Sequence, residues 1–179
     1  MLRSLVGSEM CIRDSCRLDW AVPNDKMPDA QRLMERAVND GTKIFIIQSA
    51  DEWSEFIAVN SKAVFKDKFF VGTNWLGGVM FNKPHDIFKE LPVGNALNWP
   101  YQALIHTWVE RMGLVMEGEE LLVGAYHTYP MAIGTAMGIV PMGKGSVLFS
   151  TLDIYGNIIN DSAAGLVAKK LIFNMIDFK

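Results

Sequence analysis

Residues 121–154 read LLVGAYHTYPMAIGTAMGIVPMGKGSVLFSTLDI. The stretch is apolar and rich in Gly, and its charges are confined to Lys144 and Asp153. Two runs of strand character, residues 132–141 and 146–154, flank Gly143-Lys144-Gly145. Glycines on both sides of Lys144 let the backbone take positive φ in a tight reversal. Val147, Phe149, Thr151 and Ile154 suit a pleated, buried surface. The reading is a hairpin that feeds a core strand, and that strand leads into the last helix.

The flanking chain reads as α/β material packed on this hairpin. Over residues 29–40, Ala30, Leu33, Met34, Ala37 and Val38 recur at helical spacing, while Arg32, Glu35, Arg36 and Asn39 fall on the other side. Pro28 and Asp29 mark the start of this helix and Gly41 its stop. The unbroken run Ile44-Phe45-Ile46-Ile47 suits a strand covered on both faces, as in a parallel sheet. Helix, glycine and buried strand make half of a βαβ unit. The strand that should precede the helix falls near residues 17–22 and is poor in strand character. The last helix is expected over residues 161–177, with Ala164, Val167, Ala168, Leu171, Ile172, Met175 and Ile176 buried. Lys169, Lys170 and Asn174 should face out, and Asn160 or Asp161 should cap it. Residues 73–82 read as a Gly-containing loop, and residues 117–120 as an acidic bend.

A chain of 179 residues fits one domain, and half of it is hydrophobic. The net charge of −3 argues against a nucleic-acid partner held by a basic field. No apolar run is long enough to span a bilayer. Cys11 and Cys16 form no metal pattern; a local disulfide or two plain thiols are the readings left open. Met1 to Ser15 lack a helical period and a signal-peptide core. They resemble translated adaptor or non-coding sequence and are set apart as a non-native leader. Residues 16–179 are then a single α/β domain, incomplete at its N-terminus.

The sequence offers isolated candidates for chemistry. None of the three histidines, His85, His106 and His127, has metal spacing, and no metal or cofactor is expected. His127 with Ser150 or Thr151 is the nearest approach to a base–nucleophile pair, and no third member can be named. His85, beside Asp86, fits either a ligand or a local structural role. Asp51 and Glu52 fit site carboxylates at the end of a strand, or a cap and first-turn acids. Asp153 fits either a ligand at the sheet's carboxyl edge or a cap. Trp75, Trp99 and Tyr101 can form a sugar-stacking platform, or core. No carboxylate pair for glycoside hydrolysis stands out.

Three segments carry a resemblance. They are His85–Pro92 as H-x-I-F-x-x-L-P, Asn98-Trp99-Pro100-Tyr101-Gln102, and the run from Gly134-Thr135-Ala136 through Pro141-Met142-Gly143-Lys144-Gly145 to Phe149-Ser150-Thr151-Leu152-Asp153-Ile154. Together they resemble the C-terminal region of glycoside hydrolase family 2-type proteins. That region is a class I glutamine amidotransferase-like (flavodoxin-like) domain, related to the trimerisation domain of some β-galactosidases. The resemblance implies an open, mostly parallel sheet with an antiparallel hairpin. It does not carry over the Cys–His–Glu glutaminase set, which no position here matches, and the sugar-cleaving carboxylates of such proteins lie in a separate barrel. The expected function is a non-catalytic accessory domain that packs on the catalytic part of a parent polypeptide. A homo-oligomer and a carbohydrate are the other partners considered. The mean hydropathy of +0.14 favours a contact surface. A periplasmic or secreted parent is the expected setting. Two alternatives are kept: a small amidase, esterase or amidotransferase-like hydrolase, and a carbohydrate-binding module.

Overall fold

The computed structural model describes residues 27–47, 50–71, 78–97, 99–105, 112–128 and 131–178. The expected strand near residues 17–22, the leader, Cys11, Cys16, Trp75 and His106 lie outside the described residues.

Helix α1, Met27–Asp40, is followed by strand β1, Lys43–Ile46, and helix α2, Ala50–Val59. Strands β2 (Val64–Phe70) and β3 (Gly78–Asn82) come next. Two 3-10 helices, Asp86–Phe88 and Trp99–Leu104, precede β4 (Met112–Glu117) and β5 (Glu120–His127). The chain ends with β6 (Ala132–Met142), β7 (Gly145–Ser150), α3 (Ile154–Ile158) and α4 (Ala163–Asp177).

The strands form one seven-stranded mixed sheet with β6 at its centre. One edge of β6 pairs with β5, which in turn pairs with β3. The other edge pairs with β7 over Met137–Met142 and touches β4 at Leu114↔Thr135; β4 then carries β2. This hub is the quoted stretch, and its hairpin closes as expected, with Met142 opposite Gly145. Among the described strands only β1 and β7 run parallel; the other five pairings are antiparallel. The sheet is therefore not mostly parallel. A parallel neighbour needs a long crossover, and β4 to β7 follow one another through short turns.

Alternation along β1 and β7 divides the core. Ile44, Ile46, Val147 and Phe149 face α1 and α2, with Met34, Ala37 and Trp53. Phe45 and Leu148 face the opposite layer, built from α4 and the segment containing the 3-10 helices. The run Ile44–Ile47 is thus buried on both sides, as its lack of alternation requires. Each face of the sheet is covered by helix, an α/β layering.

Four details depart from expectation. Gly78–Asn82 is a strand rather than a loop. The last strand stops at Ser150, because Leu152–Asp153 turns into the short helix α3. Helix α4 is capped by Ser162, whose Oγ accepts from Gly165 N at 3.1 Å. Asn174 does not face out: it is buried, and its Nδ2 donates to Ile87 O and Lys89 O, both at 2.9 Å. These bonds tie α4 to the first 3-10 helix. Asn174→Leu takes the donor from the buried Ile87 carbonyl and from that of Lys89 and should cost about 2 kcal/mol, read as a lower urea midpoint at unchanged slope.

Candidate functional site

In an open α/β sheet the natural place for a ligand is the carboxyl rim of the parallel strands. Here that rim is formed by the ends of β1 and β7, and its polar residues among the described ones include Ser150, Thr151 and Asp153. Ser150 is fully buried, and its Oγ accepts from Leu152 N at 3.1 Å. Thr151 Oγ1 donates toward Met112 O (2.8 Å) and Ala136 O (3.2 Å), which plugs the junction where β6 changes partner from β7 to β4. Asp153 caps α3: its Oδ1 accepts from Gly156 N at 2.8 Å. Burial raises the pKa of this carboxyl, and the Gly156 N–H opposes the shift.

His127 is not part of this rim. It pairs with Ala132 at the start of β6, whereas Ser150 pairs with Met137. Five residues of strand separate the two levels, about 17 Å at the ordinary rise. The fold therefore keeps His127 away from Ser150 and Thr151, and no base–nucleophile pair forms. His127 is half-buried, and its Nδ1 has no hydrogen-bond partner among the described residues.

The other candidates are engaged locally. His85 is the N-cap of the first 3-10 helix, its Nδ1 accepting from Ile87 N at 3.2 Å. Its Nε2 lies 3.7 Å from Glu120 Oε1, and its ring packs 4.9 Å from that of Phe178. Asp51 and Glu52 sit in the first turn of α2 and hold Lys68 Nζ at 3.0 and 3.3 Å. Burial draws the pKa of Lys68 down, but its hydrogen bond to Asp51 and the two acidic charges outweigh that and leave it raised. Among the described residues no cluster of three or more His, Cys, Asp or Glu is placed to hold a metal.

Trp99 begins the second 3-10 helix. Tyr101, also in it, is only 2% exposed and so gives no open stacking face. Its hydroxyl donates to Pro92 O (2.7 Å) and receives Asn82 Nδ2 (3.3 Å), which also donates to Pro92 O (2.8 Å). Asn82, Pro92, Pro100 and Tyr101 border a cleft of about 290 Å³. Burial pushes the Tyr101 hydroxyl up to about 12, against the opposing Asn82 bond. A phenol held neutral by folding contributes stability that is complete below the ordinary value of 10 and lost as pH rises toward about 12. Stability should therefore fall across that window, and Tyr101→Phe should flatten the fall. Ultraviolet titration of phenolate alongside denaturant melts checks both.

Sequence reasoning missed Asn174 and Asn82. Each sits in a short polar gap of an otherwise regular element, which looks solvent-facing until the carbonyls of Ile87, Lys89 and Pro92 are brought against it. The arrangement defines the class of the protein: an α/β domain with a mixed open sheet, whose polar candidates are mostly committed to its own backbone. Comparison with known protein families, curated proteins and solved structures gives no match. Among the described residues no helix is long and apolar enough to cross a membrane.

Proposed function

We propose that the chain is a non-catalytic accessory domain that works by packing. Its setting is the C-terminal part of a glycoside hydrolase family 2-type polypeptide active in carbohydrate degradation. One observation carries this reading: several polar residues within the resemblance motifs, those with reactive or hydroxyl side chains among them, are spent on the fold. His85 caps a helix, Pro92 O anchors Asn82 and Tyr101, and Ser150, Thr151 and Asp153 bond to backbone. Gly143-Lys144-Gly145 seats the hairpin against the end of α1, with Lys144 N donating to Val38 O at 3.1 Å. Motifs of this kind hold a scaffold together and leave reaction to a separate domain.

The flavodoxin-like, class I amidotransferase-like assignment belongs to the same proposal. It is supported by the parallel β1/β7 pair, the helices on both faces and the hairpin on Gly143–Gly145. The chiefly antiparallel β2–β6 region is then an elaboration beyond that nucleus.

The test is direct. The purified chain, incubated with a panel of aryl-glycosides and separately with glutamine, should give no turnover above buffer. Turnover that a single Asp, Glu or His substitution abolishes would overturn the reading. A barrel-type catalytic region found upstream in the same reading frame would support it.

A further inference from the structure

His85 is placed to respond to a single proton. Its side chain is 14% exposed, and its two ring nitrogens face different elements. Nδ1 accepts from Ile87 N at 3.2 Å and so caps the 3-10 helix Asp86–Phe88. Nε2 lies 3.7 Å from Glu120 Oε1, at the start of β5. An imidazole nitrogen that accepts carries no proton, so the capping ring is the neutral tautomer with its proton on Nε2. An imidazolium donates from both nitrogens and cannot accept the Ile87 N–H.

Several charged side chains surround this ring. Glu120 stands beside Nε2, and the same Oε1 lies 3.6 Å from Lys83 Nζ, which offsets part of its charge. Asp86 is the next residue along the chain. Asp177 precedes Phe178, whose ring packs 4.9 Å from that of His85. Lys43 is engaged by the same Phe178, its Nζ 2.7 Å from the carbonyl and 4.8 Å from the ring centre.

The capped segment is held from outside as well. Glu90 sits at φ 63°, a conformation disfavoured for any residue with a Cβ. Helix α4 clamps this turn: Asn174 bonds to Ile87 O and Lys89 O, and Lys170 pairs with Glu90. Asp86 and Lys89 on one side and Asn174 and Phe178 on the other border a cavity of about 470 Å³.

We infer that His85 is a proton-operated latch: on protonation its ring gives up the Ile87 N–H in favour of the Glu120 carboxylate, and the 3-10 helix is uncapped where it meets α4. The closed cap cannot take a proton at Nδ1 and the open one can, so acid favours opening. The latch does not depend on the accessory role, and its failure would leave that role standing.

Nuclear magnetic resonance of the full chain between about pH 8 and pH 5, where imidazole changes charge, tests it. Ring nitrogen shifts should show Nε2 protonated and Nδ1 bare at the upper end. As the His85 ring takes up its proton, exchange of the Ile87 amide, corrected for its intrinsic pH dependence, should speed up at least about 5-fold, as loss of an N-cap would give. His85→Asn, whose side chain caps without titrating, should hold the Ile87 protection constant across the range. Glu120→Gln should move the midpoint of opening to lower pH. A proton on Nδ1 at the upper end overturns the latch, as does a ring that stays neutral throughout or Ile87 protection that is unchanged while the ring titrates. A pH dependence that survives His85→Asn, or a midpoint unmoved by Glu120→Gln, overturns it equally. Should His85→Asn misfold, the wild-type comparison of ring and amide decides alone.

Discussion

Gly145→Ala should lower the unfolding free energy by about 3 kcal/mol, the upper end of what overpacking costs. A Cβ at this position would lie 2.1 Å from Thr42 O and 2.8 Å from Ala37 O. Both are backbone atoms, one at the end of α1 and one just beyond it, so neither can swing aside as a flexible side chain would. The hairpin must lift away from α1. It would then strain the bonds from Lys144 N to Val38 O (3.1 Å) and from Ser146 N to Thr42 O (3.3 Å). Lys144→Ala, one residue earlier and exposed, should change stability by less than about 0.5 kcal/mol. Urea melts of the two variants decide the matter. Equal, small effects would mean that the hairpin is not pinned to the helix at Gly145.

Trp53→Ala should cost about 4 kcal/mol, in the usual range for emptying a large aromatic site. Trp53 is fully buried in the layer between α2 and the sheet, with its ring 5.9 Å from that of Phe56 in a T-shaped contact. Its indole N–H has no hydrogen-bond partner among the described residues. Trp53→Phe removes that unpaired donor while keeping an aromatic ring, so its cost should stay under about 1.5 kcal/mol. The contrast between Ala and Phe, measured by denaturant unfolding, separates volume from polarity. A Phe variant as unstable as the Ala variant would show that the N–H has a partner.

Much of the helical layer was legible from local pattern. The stripe Ala30, Met34, Ala37 marked α1, and Gly41 stopped it at φ +81°. The stripe from Ala164 to Met175 marked α4. By residue type Asn160 and Asp161, two and one residues earlier, are as good caps as Ser162; only the bond to Gly165 N distinguishes them. Strand β3 was hidden by Gly77-Gly78, which reads as a break, although Val79–Asn82 pairs residue for residue with β5. Among the site candidates, the sequence placed His127 and Ser150 within one apolar region. It could not say that the register of β5, β6 and β7 holds them far apart.

By itself the sequence determined where apolar side chains recur with the period of a helix, where they run unbroken, and where glycine permits a reversal. These are properties of neighbours along the chain, and they were enough for α1, β1, α4 and the hairpin at Gly143–Gly145. Only the tertiary structure decided strand direction, the branching of the sheet at β6, and the partners of Asn82, Asn174 and Thr151. Each of those depends on hydrogen bonds between segments that can be many tens of residues apart, as in Asn174 to Ile87. A polar side chain looks the same in sequence whether water or a distant carbonyl will satisfy it.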